Sequence, residues 1–245
     1  MTTAWWSLGP SPGNVGDLLT PHILAALGLR VRHAPQKQAQ LLAIGSIARF
    51  ARPGQYVWGS GVMFATDRPT TAARYLAVRG PLTRDAVLRF GGECPEVYGD
   101  PALVLPTFHN TPVEQVHELG VVPHYIDSAA TRDASALGLP VIWPLDADPL
   151  AVVDRIRACR AVVSSSLHGV IIAHAYGIPA AWLVCTDGSL HGNPRTMDGD
   201  GTKFRDYAAS VGVELVPYNS IRDAVPVAAA PFDVLPLTRA LDVLR

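Results

Sequence analysis

The residues best suited to chemistry lie in Arg160-Ala161-Val162-Val163-Ser164-Ser165-Ser166-Leu167-His168-Gly169. The uncharged, β-branched run at Ala161–Val163 predicts a buried parallel strand, and the apolar stretch from Val170 to Tyr176 predicts a helix that Gly177 and Pro179 end. His168 then falls in the first helical turn. Unpaired N–H groups and the positive end of the helix dipole gather there, so the position favours a phosphate or carboxylate. An imidazole beside a bound anion is suited to deliver a proton. The same short motif would equally suit a histidine that only caps or packs, and any of the three serines could cap the helix.

Further candidates stand at other predicted strand ends and turns. Pro12-Gly13-Asn14-Val15-Gly16-Asp17 is a turn that brings Asn14 and Asp17 to a strand–helix junction, with Thr20 and Pro21 predicted to start the helix. The runs Leu41–Ser46 and Gln55–Val62 read as buried strands whose Gly/Ser tips meet a crevice. Arg79 ends another strand, where its guanidinium can grip an anion at two points or pair on the surface, and Pro81 starts the next helix. Asp100 either caps the segment after it or faces the crevice. His124 projects from the tip of the strand Val121–Val122. His191 and Arg195 sit in the Gly/Asp/Ser-rich stretch Thr186–Thr202, which reads as a flap.

These positions need a repeating frame. The predicted frame is an alternation of strands and helices giving α/β structure with parallel sheets, including a strand at Val141–Trp143 and a helix from Asp148 to Cys159. A boundary is expected near Pro106–Pro112, and a last helix is expected to start at Pro231. With 49% hydrophobic and 17% charged residues and a formal charge of −1, the chain lacks the cationic surplus of a general nucleic-acid binder. Cys94, Cys159 and Cys185 have no metal-ligand spacing and read as buried thiols in a reducing cytoplasm. The expectation is no signal peptide and no run near the ~18 apolar residues of a membrane helix, so membrane-linked substrates would be met at the surface.

Asn14-Val15-Gly16-Asp17, Val78-Arg79-Gly80-Pro81, Gly99-Asp100-Pro101-Ala102 and Ser166-Leu167-His168-Gly169 with Gly177-Ile178-Pro179 resemble, in order, the polysaccharide pyruvyl transferases. Trp58-Gly59-Ser60-Gly61, Val122-Pro123-His124-Tyr125 and Lys203-Phe204-Arg205-Asp206-Tyr207 resemble the short ketal-forming members of succinoglycan- and xanthan-type pathways. The likeness runs from about Asn14 to Pro217. It implies two Rossmann-like domains similar to the GT-B glycosyltransferase fold, residues 1–112 and 113–230, with a C-terminal helix in 231–245 packing across them.

The resemblance also implies phosphoenolpyruvate as donor and a saccharide, lipid-linked in such pathways, as acceptor. The chemistry demands no metal or other cofactor. His168 is then the general acid and Asp17 the base, with Asp100 competing for that second role. Arg79 and Lys203 clamp the donor, and Asn14, His124, Ser165 and Ser166 complete the substrate-binding set. Work at the inner face of the plasma membrane, from the cytoplasm, follows. Many members have Arg where this chain has Ser166, so one anion-binding charge comes from elsewhere or is absent. Two rivals are a nucleotide-sugar glycosyltransferase of similar fold and a non-catalytic saccharide binder.

Overall fold

The computed structural model describes residues 1–6, 11–185 and 199–245. The first half contains β1 (Thr2–Trp5), α1 (Val15–Ala26), β2 (Val31–His33), β3 (Leu41–Leu42), β4 (Tyr56–Trp58), β5 (Arg74–Ala77) and α2 (Pro81–Arg89). A 3₁₀ segment, Pro101–Thr107, leads to the second half. That half holds β6 (Gly120–Val122), α3 (Ser128–Ala136), α4 (Pro149–Arg157), β7 (Val162–Ser164), α5 (Leu167–Ala175), β8 (Ala180–Leu183), α6 (Thr202–Val211), β9 (Pro217–Tyr218) and α7 (Leu235–Arg239).

The strands form two sheets, one of order β2-β1-β3-β4-β5 and one of order β6-β7-β8-β9. Every pairing within them is parallel. The expected α/β class with parallel sheets is therefore observed. In the first sheet the chain reverses its direction of growth between β1 and β3, and an open α/β sheet binds ligands beyond the carboxyl ends of its strands at such a reversal.

Helix α5 explains how the halves meet. Leu167, Val170, Ile171, Ile172 and Ala173 are all buried, so this helix is apolar on every side and packs in the middle of the molecule. It lies against the segment Pro101–Thr107, while α1 lies against α4. One apolar core consequently runs from Ala4 and Trp58 on one side to Val162 and Ile172 on the other. The C-terminal segment also touches both halves: Trp58 donates its indole N–H to the Leu237 carbonyl at 2.8 Å, and Phe232 and Val234 stand by Ala175 and Gly177.

Three sequence expectations shift. Helix α1 begins at Val15 with Asn14 as its cap, so Pro21 lies inside it. The buried row Val15, Leu19, Ile23, at four-residue spacing, outweighs the hydrogen bond that proline forfeits. Val141–Trp143 is no strand but a single bridge from Val141 to Val121, because Pro140 and Pro144 bracket it. The last helix starts at Leu235, where Asp233 accepts from the Leu235 N–H at 3.0 Å, four residues after Pro231.

A buried polar knot ties α6 to α2. Asp206 accepts from the Thr83 N–H at 2.9 Å and from the Thr83 hydroxyl at 2.6 Å, and it faces the Arg79 guanidinium at 3.2 Å. Neither Arg79 nor Asp206 is exposed at all. Asp206→Ala strands both the guanidinium and Thr83 away from water, so urea unfolding should show a loss of about 3–5 kcal/mol. Glu118→Ala, which removes the exposed pair with Arg160, should leave the midpoint in place. Equal midpoints for the two variants would contradict a structural knot.

Candidate active site

A cleft of about 400 Å³ opens beyond the carboxyl ends of the strands of both sheets. Asn14, Asp17, Gly45, Ser46, His124, Tyr125, Ser166, His168 and Lys203 line it, together with Trp5, Ile47, Phe50, Met63 and Leu167. Three helices start at its wall: α1 after Asn14, α5 after Ser166 and α6 at Thr202. Their dipoles make the cleft hospitable to negative charge, and the Lys203 ammonium adds to it. Volume and lining suit a small-molecule ligand.

Each helix start has a local cause. The Asn14 side chain accepts from the Gly16 N–H at 3.0 Å, and the same turn is pinned to the second half by Val15 N–H to the Pro144 carbonyl at 2.8 Å. At α5 the capping serine is not the one in the cap position. Ser164 hydroxyl accepts from the Ser166 N–H at 3.0 Å and lies 2.7 Å from the carbonyls of Val122 and Ser166. That bond leaves the Ser166 side chain on the cleft wall. Gly169 is required beside it, because a Cβ there would overlap the Ser164 hydroxyl.

His168 sits where α1 and α5 meet. A Cβ on Gly16 would overlap the imidazole ring, so the glycine of Asn14-Val15-Gly16-Asp17 is what lets the ring reach the wall. The Nε2 atom of His168 faces Asp100 Oδ2 at 3.8 Å. Both atoms are buried, and neither has a hydrogen-bond partner among the described residues. Asp100 uses its other oxygen to accept from the Ala102 N–H at 2.9 Å, so it both caps the 3₁₀ segment and confronts the histidine. Of the two roles left open for Asp100, the cap is the one observed, because the residue is wholly buried behind His168 and does not line the cleft.

His124 is a different imidazole. The backbone N–H of His124 donates to the Ser165 hydroxyl at 2.8 Å, and its ring lies 4.5 Å from that of Tyr125. Burial, reinforced by Lys203 and His168, pulls its pKa down to about 3. It is therefore a neutral ring at physiological pH, fit to hydrogen-bond but not to supply a proton. Burial and then the nearby Asp17 push the Tyr125 phenol up, so it stays protonated and can donate.

Of the expected site residues, Asn14, Asp17, His124, Ser166, His168 and Lys203 share the cleft. Two do not. Arg79 is wholly buried behind the wall, where it pairs with Asp206 and donates to the Ser46 hydroxyl at 2.9 Å and the Val62 carbonyl at 2.5 Å. Gly61 leaves the space its guanidinium occupies. Ser165 is buried too, its hydroxyl spent on positioning His124. The expected flap residues His191 and Arg195 lie outside the described residues. Trp5, Phe50 and Tyr125 had no assigned role, because a single aromatic residue has no spacing to read. Ser46 was foreshadowed by the Gly/Ser ending of its strand. Among the described residues no group of three or more His, Cys, Asp or Glu is placed to hold a metal ion.

Two outcomes test this geometry. Gly16→Ala should shift the His168 ring resonance and lower stability by about 1–3 kcal/mol, the usual cost of overpacking; unchanged resonance and stability would mean the ring lies elsewhere. The ¹⁵N shifts of His124 should remain those of a neutral ring down to about pH 4. An unfolded chain takes up that proton near pH 6.5 and the folded one does not until about pH 3, so stability should fall across this window, less steeply in His124→Gln. A normal titration of His124 would contradict its burial.

The polysaccharide pyruvyl transferase family matches residues 56–187, more than half of the chain. The chain is 31% identical over 183 residues to the uncharacterized protein L143 of Acanthamoeba polyphaga mimivirus, covering 71% of this chain and 61% of that protein. It is 30% identical over 149 residues to the succinoglycan biosynthesis protein ExoV of Rhizobium meliloti (strain 1021), covering 58% of this chain and 42% of that one. It thus spans less than two thirds of the length of either relative. No solved structure matches the chain significantly. The extent of the family match, which takes in Arg79, Asp100, His124 and the helix start at His168, places this chain in the polysaccharide pyruvyl transferase family.

Proposed function

We propose that the protein moves the pyruvyl group of phosphoenolpyruvate onto two hydroxyls of a saccharide, forming a ketal and releasing phosphate. The observation that supports this most is the placement of His168: a titratable ring at the N-terminus of α5, on one cleft wall with Lys203. The donor carries a phosphate and a carboxylate, and the converging helix starts favour both. Its methylene must gain a proton before C2 can accept a nucleophile.

In this reading His168 gives that proton to the methylene, which becomes a methyl group, and C2 becomes cationic. One hydroxyl oxygen bonds to C2 and its proton passes to Asp17. The C2–O bond to phosphorus then breaks, phosphate leaves with one proton, and the second hydroxyl closes the ring as it loses its own. Two hydroxyl protons thus balance the one gained by carbon and the one leaving with phosphate. Lys203 and the N–H groups of α5 hold the phosphate, and neutral His124 with Ser166 holds the carboxylate. Asp100 keeps the His168 ring oriented from behind. Arg79 acts at one remove, fixing Ser46 in the wall.

The wider reading takes the two sheets as Rossmann-like domains, 1–112 and 113–230, in a GT-B-like arrangement spanned by 231–245. The acceptor is a saccharide, lipid-linked and met at the cytoplasmic face of the membrane. No helix among the described residues is long and apolar enough to cross a membrane.

With phosphoenolpyruvate and a lipid-linked oligosaccharide, the purified protein should release phosphate, and His168→Ala should slow it by about 10²–10⁴-fold. Lys203→Ala should raise the donor KM. Full turnover in His168→Ala, or thermal stabilisation by a nucleotide sugar and none by phosphoenolpyruvate, would overturn the proposal.

A further inference from the structure

The cleft is divided by chemistry. Its ionisable and hydrogen-bonding side chains come from the starts of α1, α5 and α6 and from the turn after β6, apart from Ser46. The carboxyl ends of the first sheet supply four apolar side chains instead: Trp5 at the end of β1, Ile47 and Phe50 beyond β3, and Met63 beyond β4. Phe50 is 39% exposed, and of the eleven large hydrophobic residues exposed among the described residues it is the one that lines the cleft. An exposed aromatic ring inside a cleft has no role in packing the core and is costly to leave in water unless something covers it.

That ring is held rather than loose. Trp5 and Phe50 stand edge to face, with ring centres 5.9 Å apart and planes at 88°. The Arg49 guanidinium stands over the Phe50 ring at 4.6 Å and over Phe64 at 5.6 Å, and Asp67 fixes it from the side at 3.4 Å. Asp67 is in turn anchored by the Met63 N–H at 2.8 Å. A rigid aromatic pair loses little entropy on binding. Aromatic faces carry partial negative charge, which attracts the positively polarised C–H bonds along one face of a pyranose ring. Trp5, Ile47, Phe50 and Met63 carry no charge, and the cation nearest to them, Arg49, is already paired with Asp67, so the wall favours a neutral ligand over an anion.

We propose that the Trp5–Phe50 pair is the acceptor subsite, and that it takes a neutral hexopyranose ring by its C–H face. The hydroxyls of that ring then point across the cleft toward Asp17 and His168. The inference rests on the pyruvyl-transfer reading for its choice of a saccharide, yet it makes a binding claim that stands or falls separately.

Saturation-transfer NMR on the full chain tests it, using methyl α-glucopyranoside, methyl α-mannopyranoside and methyl β-galactopyranoside, with phosphoenolpyruvate in parallel. At least one glycoside should show saturation on its ring C–H protons, and Phe50→Ala and Trp5→Leu should each weaken its binding about tenfold. Phe50→Ala should bind phosphoenolpyruvate as the parent does, which also reports that the variant is folded. Absence of signal from all three glycosides overturns the subsite, as does undiminished binding in both variants. So does octyl β-glucoside, below its micelle concentration, receiving saturation on the alkyl chain and none on the ring, because the wall would then be a lipid groove. Glycoside binding without any phosphoenolpyruvate binding would sink the donor assignment and leave the subsite standing.

Discussion

The His168 ring lies where Gly16 has no side chain, and this one contact sets how closely the start of α1 approaches the start of α5. A methyl group on residue 16 would have to displace either the ring or the helix. The two helices belong to different sheets, so the cleft exists only because the halves meet through this gap. Around it the molecule is pinned by groups with nowhere else to go: the Pro144 carbonyl on the Val15 N–H, and Asp206 on Arg79 and Thr83. Positions on rigid helix starts are held better than positions on loops.

The two histidines of the cleft show how environment divides labour between identical side chains. His124 is desolvated beside Tyr125, with Lys203 nearby, and stays neutral. His168 instead turns Nε2 toward the Asp100 carboxylate. Hence the His124 ring is suited to hydrogen bonding rather than to supplying a proton. The Ser166 departure fits the same scheme. A serine on that wall supplies no charge, and Lys203, at the start of α6, is a cation in the same cleft.

Local chemistry was legible in the sequence, and distant pairing was not. Asp100 capping the segment after it and His168 in the first turn of α5 both follow from neighbours in the chain. The alternation of short apolar runs with helical stretches likewise gave the parallel α/β class. Arg79 was misplaced into the cleft because the residue that captures it, Asp206, is far along the chain, and nothing at Arg79 itself announces a buried partner. Ser165 failed for the same reason, its partner being the His124 N–H on another strand. Pro21 misled by a true local rule that the buried face of α1 overrides. The aromatic wall was invisible, since Trp5 and Phe50 become neighbours only when β1 and the segment after β3 fold side by side.

In the proposed reaction the His168 ring addresses a donor anchored at the start of α5. A crystal structure of the protein with phosphoenolpyruvate tests it most directly. The phosphate should lie at the N–H groups of α5 near Lys203, with the methylene carbon about 3–3.5 Å from the His168 ring, the separation expected of groups poised to react. Phosphoenolpyruvate bound away from this cleft, or with its methylene turned from His168, would contradict it.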